Sequence, residues 1–120
     1  MRSKPDVTIQ KPTIMAGLYL VATPIGNLGD LSMRTIEILQ TVDIIACEDT
    51  RITSKILHKY AIKNKKITYH EHSAQSTRLT LINMISSGKS VALVSDAGTP
   101  IISDPGYKLV RDCIKKNFNI

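Results

Sequence analysis

Val91-Ala92-Leu93-Val94-Ser95-Asp96-Ala97-Gly98-Thr99-Pro100-Ile101-Ile102-Ser103-Asp104-Pro105-Gly106 is the stretch that decides the fold class. Its first four residues form a short apolar run, the pattern of a buried strand. Ser95 to Gly106 mix polar residues with Gly and Pro, and so build a shaped backbone surface instead of a core. In open α/β sheets ligands sit at the carboxyl ends of strands. Two carboxylates, three hydroxyls and two glycines gather in this one loop. That is more chemistry than a connection needs, and it points to a small-molecule site.

Working outward, Leu18-Tyr19-Leu20-Val21-Ala22, the run from Val42 to Cys47 and Ile67-Thr68-Tyr69-His70 read as three further strands. Helical patterns separate them. Ser32 is placed to cap a helix carrying Ile36, Ile38 and Leu39, and Thr50 one that turns Ile52, Ile56 and Leu57 inward. Ser76 opens a third, with Leu79, Ile82 and Ile85 on one face and Gly88 as its C-cap. Pro105 suits the first turn of a fourth, which buries Leu109, Val110 and Ile114. Strands alternating with helices predict an α/β fold with an open, mostly parallel sheet and flanking helices. Right-handed crossovers then put every strand-to-helix loop at one edge. Phe118-Asn119-Ile120 resembles the opening of a fifth strand, so the expectation is a chain that stops at a domain boundary.

The chain has 120 residues, one domain's worth, and a hydrophobic fraction of 42%, ordinary for a globular core. Residues 1–16 are expected to be a flexible tail and residues 17–120 an α/β domain. No apolar run is long enough to cross a bilayer and no leader is visible, so a cytoplasmic protein is expected. Cys47 and Cys113 match no metal or redox spacing and read as reduced, buried residues. The net charge of +6 is uneven, because Arg51, Lys55, Lys59, Lys63, Lys65 and Lys66 fall in one segment. Such a cluster suits either phosphate contacts or a solvated helix face. Aromatic residues are not interleaved with it as in single-strand binders.

The first loop, Thr23-Pro24-Ile25-Gly26-Asn27-Leu28-Gly29-Asp30, has neither the three spaced glycines of a dinucleotide site nor a P-loop. Asn27 and Asp30 can bind a ligand or cap the next helix. In Glu48-Asp49-Thr50-Arg51 an acidic pair ends a strand, and helix capping accounts for Asp49 and Thr50 without requiring Glu48. His70 and His72 share a face in extended chain, but two ligands without a third do not make a metal site. No metal is expected.

Together these loops, in this order and at these separations, closely resemble the ribosomal RNA small subunit methyltransferase I family of the tetrapyrrole (corrin/porphyrin) methylase superfamily. The residues that carry the resemblance are the 21–30 segment, Cys47-Glu48-Asp49-Thr50-Arg51, Tyr69-His70-Glu71-His72, and Ser95 to Gly106. The match covers residues 17–120. It implies methyl transfer from S-adenosyl-L-methionine to the 2'-hydroxyl of a cytidine ribose in 16S ribosomal RNA, by a two-domain protein, usually a homodimer. It also implies that this chain is the N-terminal domain, inactive alone. Carried over by residue, Pro24, Ser95, Asp96, Ala97, Gly98, Thr99 and Ile101 would hold the cofactor. Gly26, Asn27, Arg51, His70 and His72 would contact the substrate. A ribose hydroxyl is a poor acid, so a base or charge near it is useful. Asp30, Glu48 or Asp49 would be that base, with Arg51 holding a phosphate or the nucleophile.

Three other readings compete. A superfamily relative acting on a tetrapyrrole or other small molecule usually has Gly-Asp-Pro in the cofactor loop, where this chain has Asp96-Ala97-Gly98. A non-catalytic RNA-binding module would use the basic segment after Arg51. A nicotinamide oxidoreductase is suggested by Glu48 alone and lacks the glycine spacing.

Overall fold

The computed structural model describes residues 14–23, 31–48, 50–69, 74–96 and 106–120. Its elements, in chain order, are β1 (Gly17–Thr23), α1 (Met33–Thr41), β2 (Ile44–Cys47), α2 (Thr50–Lys59), β3 (Lys66–Thr68), α3 (Ala74–Ser86), β4 (Ser90–Asp96) and α4 (Gly106–Lys115). The four strands are parallel, in the order β1-β4-β2-β3. The alternation read from the apolar runs is therefore the architecture, an α/β fold with helices on both faces.

The strands are apolar for the reason the order gives. β4 lies between β1 and β2, and Val91, Ala92, Leu93 and Val94 are buried on both sides. Alternate residues feed two cores. On one face Ala46, Val91, Leu93 and Leu18 pack with Leu81, Ile82 and Ile85 of α3 and Leu109 and Cys113 of α4. On the other, Val21, Ile45, Cys47, Ala92 and Val94 pack with Leu39 of α1 and Ile56 and Leu57 of α2. Ile14, ahead of β1, packs on this second core.

Ser32 caps α1 as its sequence position predicts, its Oγ accepting from the Thr35 backbone N–H at 3.1 Å. Thr50 and Ser76 instead lie within helices α2 and α3. Pro105 lies outside the described residues.

Three inward assignments are corrected. Ile52 (36% exposed), Leu79 (54%) and Ile114 (60%) face outward. At about 100° per residue, each lies roughly a quarter-turn or more from the centre of its buried stripe. The stripes are Thr53-Ile56-Leu57, Leu81-Ile82-Ile85 and Leu109-Cys113.

Three helices end the same way. A residue in the left-handed region, Ala61 (φ 54°), Gly88 (φ 95°) or Asn117 (φ 58°), follows the last turn. The next N–H then reaches back five residues, from Ile62 to Leu57, Lys89 to Met84 and Phe118 to Cys113, at 2.8 to 3.0 Å. After α4, residues 118–120 do not form a regular strand. The Asn119 carbonyl nevertheless accepts from the Leu18 N–H at 2.8 Å, on the outer side of β1. Between α3 and α4, Arg78 Nε lies 3.0 Å from Asp112 Oδ2, an ion pair whose N–H does not point along the line of centres.

Candidate functional site

The parallel register brings the loop-bearing strand ends together. Thr23 pairs with Asp96 across β1 and β4, and Cys47 pairs with both Val94 of β4 and Thr68 of β3. The chain leaves the sheet from Thr23, Cys47, Thr68 and Asp96 along one edge, as the right-handed crossovers require.

That edge is split at β4. The helices after β1 and β2 cover one face, while the helix after β4 covers the other. Neighbouring strands thus send their connections to opposite sides at the end of β4, the arrangement that in open α/β sheets leaves a crevice between them. This is the topological switch point at which open α/β sheets bind ligands. The Gly- and Pro-rich segment after Asp96 departs from this point.

One side chain ties β1 to β4 at this point. Thr23, 4% exposed, donates from Oγ1 to the Ser95 carbonyl at 3.2 Å. The Ser95 backbone is therefore held from β1 immediately before Asp96. Nothing local in the sequence marks Thr23 for this, because its partner is 72 residues away. On the other side of β4, the Tyr69 N–H donates to the Cys47 carbonyl at 2.8 Å, extending the β2–β3 ladder to the same edge.

The structure brings four of the expected site residues to this edge. Ser95, half-buried, and Asp96 are the last residues of β4. Glu48 follows the end of β2 and is exposed, and Arg51 is exposed in the first turn of α2. Pro24, Gly26, Asn27, Asp30, Asp49, His70, His72, Ala97, Gly98, Thr99 and Ile101 lie outside the described residues. Among the described residues no cluster of His, Cys, Asp or Glu could hold a metal ion. No described helix is long and apolar enough to cross a membrane. Cys113 lies away from this edge, in the core beneath α4, where burial and then the Asp112 charge push its thiol up to about 11.

Comparison with known proteins fits this geometry. Residues 17–120 match the family profile described as tetrapyrrole (corrin/porphyrin) methylases. The chain belongs to the tetrapyrrole methylase family. Among curated relatives of this methylase domain, a ribosomal RNA small subunit methyltransferase I of Synechocystis is 52% identical over 106 residues, 88% of this chain and 38% of that protein. Its namesake in Bacillus subtilis is 53% identical over 98 residues, 82% of this chain and 34% of that protein. The chain spans roughly a third to a half of the length of such relatives. A solved uroporphyrin-III-C-methyltransferase of Thermus thermophilus superposes with a TM-score of 0.65 over 87% of this chain and 45% of its own. At 18% identity that likeness shows the methylase fold alone.

Proposed function

We propose that the protein carrying this chain is a cytoplasmic S-adenosyl-L-methionine-dependent methyltransferase. Its substrate would be the 2'-hydroxyl of a cytidine ribose in small-subunit ribosomal RNA. The observation that carries the reading is the switch point at the end of β4, with Thr23 holding the Ser95 carbonyl beside it. The names and roughly 50% identity of the curated relatives favour RNA over a tetrapyrrole as substrate.

The residues present suit such a cofactor. Its polar groups need backbone donors and acceptors held in place, which a pinned strand end provides. Its cationic sulfonium would favour a carboxylate in the vicinity, and Glu48 stands exposed on the same edge. Ser95 and Asp96, followed by Ala97, Gly98, Thr99 and Ile101, with Pro24 opposite, would hold it. When bound, it supplies a methyl group open to in-line attack. Glu48, Asp49 or Asp30 would accept the proton of the ribose hydroxyl or steady its developing charge, and Arg51 would hold a phosphate nearby. Gly26, Asn27, His70 and His72 would position the nucleotide. As in the family, the assembly is proposed to be a homodimer.

Incubating the whole protein with methyl-labelled S-adenosyl-L-methionine and small-subunit ribosomal RNA tests this. Label should appear on a cytidine ribose, mapped as a 2'-O-methyl block to alkaline cleavage. Glu48→Ala and Arg51→Ala should lower turnover at least about tenfold, the scale of a lost charge contact. No label in RNA, or label in a tetrapyrrole instead, would overturn the reading.

A further inference from the structure

We infer that the outer face of α2 and the 63–66 turn form a docking track for the RNA sugar-phosphate backbone, running away from the crevice. This rests on the reading of RNA as the substrate and adds where RNA binds outside the reacting nucleotide.

The track is built from position and charge. Arg51 stands in the first turn of α2, at the crevice edge, and Lys55 and Lys59 follow at four-residue intervals. All three are exposed. Successive cations are therefore about 6 Å apart along one stripe of the helix. Since α2 returns the chain to the start of β3, the stripe leads from the crevice toward the opposite edge of the sheet. There Lys63 and Lys65 of the connecting turn and Lys66, the first residue of β3, follow, also exposed.

The turn that carries these last lysines is held firmly. Asn64 donates from Nδ2 to the Leu39 and Val42 carbonyls at 2.9 and 2.8 Å, and its Oδ1 accepts from the Lys65 N–H at 2.7 Å. One side chain thus caps the end of α1 and fixes the backbone bearing Lys63 and Lys65. Less order is then lost when an anion binds.

The five lysines keep their charge among the described residues. Among the described residues no carboxylate forms an ion pair with Lys55, Lys59, Lys63, Lys65 or Lys66. Glu37 is held by Arg34, and Asp112 by Arg78 and Arg111. Asp43 borders the same hollow as Lys63 and Lys65, but its carboxylate accepts from Ser90. A single-sign stripe whose aromatic neighbour, Tyr60, lies under the Lys59 ammonium at 6.0 Å suits phosphates more than a run of stacked bases.

The test uses the whole protein and a labelled transcript of small-subunit ribosomal RNA, titrated between about 50 and 200 mM KCl. Replacing Lys55, Lys59, Lys63, Lys65 and Lys66 by Gln should weaken binding at least about tenfold. It should also flatten the slope of log affinity against log salt by about 0.7 to 0.9 for each lysine engaged. S-adenosyl-L-methionine binding, measured by calorimetry, should be unchanged. The pair Lys63→Glu and Lys66→Glu, far from the crevice, should give part of the same loss. Unchanged RNA affinity and salt slope in variants that still fold would overturn the track, while methylation by the wild type would leave the enzyme reading standing. Binding of the wild type to anionic lipid vesicles but not to the transcript would overturn both.

Discussion

Asp43 and Ser90, 47 residues apart, grip each other through both backbone and side chain. The Asp43 N–H donates to the Ser90 carbonyl at 3.0 Å and to its Oγ at 3.1 Å. In return the Ser90 N–H and hydroxyl donate to Asp43 Oδ2 at 2.8 and 3.2 Å. Ser90 is buried, so its groups have little water to fall back on. Ser90→Ala should cost about 1 to 2 kcal/mol, and Asp43→Ala as much or more, since it leaves buried donors unsatisfied. Urea denaturation of the single and double variants checks this. The double should cost less than the sum, because each change removes the other's partner.

Ala61 ends α2 at φ 54°, where a Cβ is strained. Ala61→Gly should therefore stabilise the fold by about 0.5 to 1 kcal/mol, although glycine also loosens the unfolded chain. Asn117→Gly, at φ 58°, should gain less, because asparagine tolerates that region. Equal thermal shifts for the two variants would contradict the conformational account.

At Gly17 (φ 148°), an added Cβ would lie 2.6 Å from the Asn119 carbonyl oxygen. Gly17→Ala should cost about 2 kcal/mol or more and break the bond from the Leu18 N–H to that oxygen. Amide exchange at Leu18 should speed up accordingly. Gly88→Ala, also at positive φ but with nothing within 4 Å, should cost only the backbone strain, about 1 kcal/mol.

Cys113 gives the fold a dependence on alkaline pH. Its thiol, 9.0 when free, is pushed up to about 11 by burial and by Asp112. Between those values the unfolded chain releases a proton that the folded chain keeps. Stability from this group is thus full below pH 9 and falls as pH rises toward 11, by roughly 2 kcal/mol. Cys113→Ala should remove that part of the slope, read from denaturation series at about pH 8 to 11.

Thr23→Val keeps the buried shape and removes the hydroxyl that donates to the Ser95 carbonyl. If the crevice binds S-adenosyl-L-methionine, affinity for it in the whole protein should drop several-fold while stability falls by about 1 kcal/mol. Thr23→Ser should restore affinity. Unaltered binding by Thr23→Val would separate this tie from the cofactor.

Much of the fold was legible because its signals are local. The runs at Leu18, Val42 and Val91 carry the buried strands, and Ser32 and Gly88 mark helix ends by their own chemistry. Ile52, Leu79 and Ile114 misled because an apolar residue beside a buried stripe looks like a member of it until neighbouring elements are placed. Strand order was not legible, since no residue of β4 announces that it lies between β1 and β2. For the site, the shared edge was readable from the loops, and Glu48, Arg51, Ser95 and Asp96 do stand on it. The Thr23 tie was not, because it exists only once β1 and β4 are paired.

The position of β4 also sets a timetable. β1 finds its sheet partner only when a strand some seventy residues further on has been made. β2 and β3, about 20 apart, can pair as soon as α2 has formed. Long-range parallel pairing is slow because loop closure precedes any reward. During synthesis, then, the segment ending at Thr23 leaves the ribosome early and waits without a partner. The crevice edge is completed last, when Ser90 to Asp96 slots between strands that have been present far longer.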